Sequence, residues 1–190
     1  MSSRVEKFFA HLERVTAEAE PRFLPTPSSR PGLPGVTSVV YRGLPEPGML
    51  TAVTYGLSLA EHAAWRHGRP ELCLSVSSPD EGWAHALGFV AERMRGVCPF
   101  SYGDVVDLGE RICGESPMTA FVVFAPAVLA KEDCLRIDVS APGHTGPDLV
   151  NVQGVYPIHE VERQYVAERG FGALWQHEWD PYDVQRPPVV

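Results

Sequence analysis

The residue types that could do chemistry in this sequence are scattered along it. His159-Glu160 opens like the zinc-binding helix of a metalloprotease. That site needs a second histidine four residues on, so that two imidazoles share one helical face, and position 163 holds Arg163 instead. Asp104, Asp107 and Glu110 stand at three-residue steps and offer the oxygen ligands calcium or magnesium takes, but the EF-hand pattern is absent, and solvated loop carboxylates are the commoner reading. His62 and His67 lie five apart near a turn and would need further ligands to hold a metal; an exposed pair is the plainer reading. Ser58 is the nearest thing to a hydrolase nucleophile, yet no Gly-x-Ser-x-Gly elbow surrounds it. Neither a P-loop nor a Gly-x-Gly-x-x-Gly cradle is present. Cys73, Cys98, Cys113 and Cys134 have none of the short spacings of a zinc knuckle or a redox pair, and read as reduced, structural thiols. These residues therefore assign no catalytic residue, no metal site and no cofactor.

The elements that would position such groups are easier to read. Val5, Phe8, Phe9, Leu12 and Val15 share one face of a helix over Ser3–Glu20, with Ser3 and Glu6 as a capping box and Pro21 as its stop. From Pro21 to Gly48 the chain carries seven prolines and four glycines, an irregular lead-in with one strand over 36–41. Strands follow over 50–57 and 71–76. Ser78-Pro79-Asp80-Glu81 then predicts a capped helix start, with Ser78 as N-cap and Glu81 closing the box, ahead of the stripe Trp83, Leu87, Val90, Met94. Ala120–Phe124 is a continuous apolar run expected to be covered on both faces. Further strands are expected over 135–139 and 149–155, and a helix to Arg169 with Ile158, Val161 and Tyr165 inward. The tail from Asp180 is expected to be extended. Strands and helices mix without a βαβ rhythm, so the fold class is α+β, a single domain with a central mixed sheet flanked by helices. Residues 1–48 form its N-terminal helix and lead-in and residues 49–190 its main body, in one compact unit.

Composition bounds the partners. The 190 residues carry 16 Lys+Arg against 24 Asp+Glu, a net charge of −8. Such a balance argues against nucleic acid, whose phosphates need a basic face, and suits a basic partner or simply a solvated surface. No apolar run is long enough to span a membrane and the first residues lack a signal peptide, so a cytoplasmic protein with no membrane contact is expected. Trp175 and Trp179 precede the polar tail and can be read two ways, as core aromatics or with one of them an exposed anchor for a partner.

The order of these elements resembles the suppressor of fused family over roughly residues 45–190. The strand Thr51–Ser58 is similar to that family's "S/T-x-G-hydrophobic-S" strand. The strand over 71–76, the helix over 83–95, the loop Phe100-Ser101-Tyr102-Gly103-Asp104 and the strand over 120–124 follow in the family's order. Val152-Gln153-Gly154-Val155-Tyr156-Pro157-Ile158-His159-Glu160 resembles its junction into the late helix, and Asp180–Arg186 its acidic, Arg-containing ending. The resemblance implies a non-enzymatic domain that works by binding proteins. Animal relatives hold a zinc-finger transcription factor, and bacterial single-domain relatives are regarded as immunity proteins that neutralise toxins. In the animal proteins a Gly-Asp in the post-helix loop belongs to a peptide cleft, which marks Gly103 and Asp104 as partner contacts here. Glu92 departs from the pattern, standing where an aromatic lines that cleft, and the second domain that closes over the peptide has no counterpart in this sequence.

Three functions are thus carried forward. The first is an immunity-type protein that blocks a basic toxin by stoichiometric binding, with Gly103, Asp104, Trp175 and Trp179 as candidate contacts. The second is a regulatory module that takes up an extended peptide. The third is a small hydrolase or metal enzyme built on His159, Glu160 or the Asp104 group. The oligomeric state is left open.

Overall fold

A computed structural model describes residues 2–190. Helix α1 (Arg4–Val15) starts at the expected box, with the Ser3 hydroxyl accepting from the Glu6 amide and the Glu6 carboxylate from the Ser3 amide. It stops short of Pro21, because Ala17 and Glu18 take positive φ values of 52° and 59°. The lead-in contributes two strands rather than one, β1 (Arg22–Thr26) and β2 (Val36–Arg42). Pro25 and Pro27 read as breakers, but β1 is an edge strand, the place in a sheet that tolerates proline.

The remaining strands are β3 (Leu50–Tyr55), β4 (Arg69–Val76), β5 (Val105–Asp107), β6 (Ala120–Phe124), β7 (Ile137–Asp138) and β8 (Leu149–Ile158). All join one mixed sheet in the order β1-β2-β3-β4-β8-β6-β5, with β7 beside the start of β8. Every pairing is antiparallel except β4 with β8. The expected mixed sheet flanked by helices is what forms.

Alternation sorts the side chains onto two faces. On one, Leu72, Leu74, Val76, Phe121 and Val123 receive Trp83, Leu87 and Val90 from α2 (Gly82–Met94). On the other, Phe8 and Leu12 of α1 pack with Val39, Val53, Cys73, Val150 and Val152. Farther along that second face, Ala120, Val122, Tyr156 and Ile158 lie under α4 (Glu160–Arg169) and α5 (Phe171–Trp175). Residues 125–127 run close over Gly154, where a Cβ would stand 2.9 Å from the Ala125 carbonyl oxygen. Tyr156 fixes that crossing: its hydroxyl donates to the Ala125 oxygen at 2.7 Å and accepts from the Ala127 amide at 3.0 Å. The short helix α3 (Lys131–Cys134) follows.

Two helix expectations need correction. Helix α2 begins at Gly82, and Asp80, whose carboxylate accepts from the Gly82 amide at 2.8 Å, does the capping expected of Ser78. Glu81 turns outward to Arg42 at 2.8 Å and Arg22 at 3.2 Å. In α4 the inward residues are Glu162 and Val166, while Val161 is 45% exposed. A charged residue takes the inward place because it has a buried partner, described below. Among the described residues, no helix is long and apolar enough to cross a membrane.

Candidate functional site

Gly103 and Asp104 continue the β5 edge beside β6. The Gly103 amide donates to the Val123 oxygen and the Val123 amide to the Asp104 oxygen, both at 2.8 Å. Gly103 has φ +92°, and a Cβ on it would lie 3.5 Å from the Phe171 Cβ, so the turn sits directly against α5. Around that contact the rings gather. Phe124, ending β6, has Tyr102 at 5.0 Å, Phe171 at 4.9 Å and Trp175 at 5.0 Å between ring centroids. Trp175 meets Tyr156 and Trp179, each at 5.4 Å. The structure therefore brings Gly103, Asp104, Trp175 and Trp179 to one surface. Both tryptophans are half-buried, so neither is purely core nor a free anchor. Sequence reasoning missed Tyr102, Phe124 and Phe171. The ending of an apolar strand does not reveal that its last ring is half-uncovered.

The Asp104 carboxylate holds its own turn, accepting from the Ser101 amide at 2.7 Å, with the Cys98 sulfur at 3.8 Å. Asp180 and Asp183 do the same for the tail, accepting from Tyr182 and Gln185 amides at 2.9 and 2.8 Å. Glu178 and Asp180, both exposed, flank Trp179 in the chain. Asp107 pairs with Arg163 at 3.3 Å. The acids Asp104, Asp107 and Glu110 are not brought together as ligands.

Among the described residues, the one group of His, Cys, Asp and Glu ligand atoms within 4.8 Å of one another is Asp80, Cys113 and Glu115. No spacing in the sequence announces it, since 33 positions separate its first two members. Each atom already has protein partners. Trp83 Nε1 donates to Glu115 at 2.7 Å, the Ser78 hydroxyl donates to the same oxygen, and Cys113 Sγ lies 3.3 Å from Asp80. The Gly82 amide and then Cys113 hold the Asp80 carboxyl below its ordinary range, while burial pushes the Cys113 thiol up.

The tail is tied down rather than extended. Arg186 is 6% exposed and forks onto the fully buried Glu162 of α4, with Nη2 to Oε2 at 2.8 Å. The Val189 amide donates to Glu162 at 3.1 Å, and a His159 ring nitrogen lies 2.9 Å from the Arg186 oxygen. Burial alone would raise the Glu162 carboxyl; Arg186 with the His159 and Val189 amides brings it below the usual range. His159 is thus a helix cap, completed by Glu162 accepting from its amide at 2.8 Å. The Arg186 guanidinium also lies 4.3 Å from the Trp179 ring centre, so the pair that pins the tail also supports the aromatic surface. Among the described residues, no histidine ring hydrogen-bonds a Ser or Cys side chain; their partners are backbone groups, Arg14 and Tyr165.

Glu92 faces inward to a local task. It pairs with the fully buried Arg95 at 2.8 Å and accepts from the Ser29 amide at 2.8 Å, while Arg95 donates to the Pro34 oxygen at 2.7 Å. Together they fasten the lead-in to α2.

No protein-family model matches this sequence, and none of the curated proteins does. Solved structures do. A suppressor of fused homologue from Neisseria gonorrhoeae FA 1090 superposes with a TM-score of 0.75 at 16% identity, over 97% of this chain and 95% of that one. The Sufu–Fu complex gives 0.68 at 15% identity, over 98% of this chain and 92% of the matched one. Drosophila Suppressor of Fused gives 0.63 at 14% identity over 96% of this chain, which spans 50% of its length. The likeness takes in the lead-in strands as well as the main body, and the chain has the suppressor of fused fold.

Proposed function

We propose that this protein is a non-enzymatic binding domain whose partner is another protein, held on the surface formed by Tyr102, Phe124, Phe171, Trp175 and Trp179 beside Gly103-Asp104. The observation that carries the reading is this half-buried aromatic group with unpaired acids at its margin. Among the described residues, Asp104, Glu178 and Asp180 have no cationic side chain within 4.0 Å. Half-covered aromatics on a packed base are the groups that anchor interfaces, and a one-signed margin selects partners of the opposite charge. A solved structure of the same fold contains Sufu in complex with Fu, which supports a protein as the partner. The finer form of the proposal is an immunity-type protein that neutralises a basic toxin by stoichiometric binding. An extended peptide added to the sheet is the weaker reading. Among the edge strands β1 carries Pro25, β5 has three residues and β7 two, and these features discourage strand addition.

The test is capture from the native cell with wild type, Tyr102→Ala and Phe89→Ala. Tyr102 and Phe89 are 49% and 55% exposed, and Phe89 lies on α2 away from the aromatic surface. A basic protein retained one-to-one by wild type and Phe89→Ala, lost by Tyr102→Ala, and toxic when expressed without this protein is the expected result. A partner equally retained by Tyr102→Ala overturns the assignment of the surface, and a harmless partner overturns the immunity form.

A further inference from the structure

At the end of the sheet where β4 and β8 begin, a pocket of about 370 Å³ opens between three loops that the aromatic surface does not involve. Tyr156 stands six residues along β8 from Val150, so the two sites are roughly 20 Å apart at the usual strand rise. Arg66, His67 and Arg69 line the pocket from the segment entering β4, Arg136 from the α3–β7 turn and His144 from the loop before β8. In a chain of net charge −8, counted with histidine neutral, three arginines on one pocket run against the overall balance.

Two of the three arginines are also unpaired. Arg66 and Arg136 have no carboxylate within 4.0 Å among the described residues, and Arg69 has only the 87% exposed Glu61 at 3.6 Å. The single acid in the wall, Asp148, is taken by Arg4 at 2.7 Å. Two of the loops are joined by one side chain of the central strand. Asn151 Oδ1 accepts from the Arg136 amide at 2.8 Å, and its Nδ2 donates to the His67 oxygen at 3.4 Å. Arg136 itself has φ +57°, a conformation an arginine adopts only under constraint.

We propose that this pocket binds a phosphate monoester. Guanidinium groups offer paired donors in a planar fork that matches phosphate oxygens, and three lining one pocket, two from the segment entering β4 and one from the α3–β7 turn, suit a dianion better than a single carboxylate. The volume admits the phosphate with a small group attached. That group belongs either to a small metabolite or to a phosphorylated side chain of a protein, two sources of one chemistry.

Calorimetric titration of the full chain with phenyl phosphate, a phosphoserine peptide and its unphosphorylated twin tests this. One phosphate-bearing ligand per chain is expected, with affinity falling about tenfold or more in Arg66→Gln/Arg136→Gln and unchanged in Arg93→Gln, an exposed arginine on α2. Equal binding of phenyl phosphate and phosphopeptide identifies the small ester as sufficient; tighter binding of the phosphopeptide alone identifies the protein source. No saturable binding of any phosphate probe overturns the proposal, as does an equal loss in Arg93→Gln. Because Tyr102→Ala leaves this pocket intact, the result is separable from that of the aromatic surface.

Discussion

Glu162 and Arg186 form a buried ion pair 24 residues apart that fastens the C-terminal tail to α4. The acid is fully buried and the base nearly so, and the pair is closed by the His159 and Val189 amides. Its Arg186 also backs the Trp179 ring, so tail order and surface shape share one support.

Removing one partner leaves the other charged and buried. Arg186→Met is expected to destabilise the protein by about 3–5 kcal/mol, a drop in Tm of about 10 °C for a chain of this size. Adding Glu162→Gln to it should restore part of the loss, since no uncompensated charge remains. Thermal melts of the two singles and the double measure this coupling directly.

Acid should weaken the same pair. The folded-state Glu162 carboxyl lies below its ordinary value of 4.5, so its contribution is present in full above pH 4.5 and is lost as the pH falls through the lower folded-state value. The stability difference between wild type and Glu162→Gln should therefore shrink on acidification below pH 4.5. A difference that stays constant would show that the charge on Glu162 does not stabilise the fold.

Glu71 should behave in the opposite sense. It is fully buried on β4 and accepts from Thr54, from the Gly56 amide, and from both the amide and hydroxyl of Ser58. Burial raises its carboxyl despite these donors, so its contribution is fully present below pH 4.5 and is lost as the pH rises through the higher folded-state value. Wild type should gain on Glu71→Gln as the pH falls toward 4.5. Glu71→Leu should be worse at every pH, because it strands two buried amides at about 1–3 kcal/mol each. Denaturant titrations at several pH values separate the two effects.

Gly154 is required by a close approach rather than by its backbone angle. A methyl group there would stand 2.9 Å from the Ala125 oxygen and from two atoms of Pro126, all of them backbone. Gly154→Ala should cost about 1–3 kcal/mol by lifting residues 125–127 from the sheet. The amide of Ala127, freed from the Tyr156 hydroxyl, should then exchange faster in hydrogen-exchange measurements.

What the sequence showed and what it hid have physical reasons. Strands β3, β4 and β6 and the capped start of α1 were legible because each is a local pattern of alternation or hydrogen-bonding residues. β1 was hidden by Pro25, which only its edge position makes harmless. The inward turn of Glu162 was hidden because its partner Arg186 is distant in sequence, and a charged residue on a helix ordinarily reads as solvated. The site was half legible. Gly103-Asp104 came from a resemblance and the tryptophans from their place before the tail, but Phe124 and Phe171, which join them, carry no sequence signal of exposure. The cationic pocket was invisible because its residues come from three loops, and only the parallel pairing of β4 with β8 brings those loops to one end.

Asp104 separates a structural from a recognition role with two substitutions. Its carboxylate supports the turn by accepting from the Ser101 amide, so Asp104→Ala removes that acceptor and should cost about 1 kcal/mol through the turn alone. Asp104→Asn keeps an oxygen in the same place and removes the charge. If the acidic margin selects a basic partner, Asp104→Asn should leave Tm close to wild type while slowing association with that partner, most at low ionic strength, where charges at an interface margin act mainly on the on-rate. Stopped-flow or surface-binding kinetics at two salt concentrations read this out. An on-rate unchanged by Asp104→Asn, together with a lower Tm in Asp104→Ala, would confine Asp104 to its turn and leave the aromatics to carry recognition.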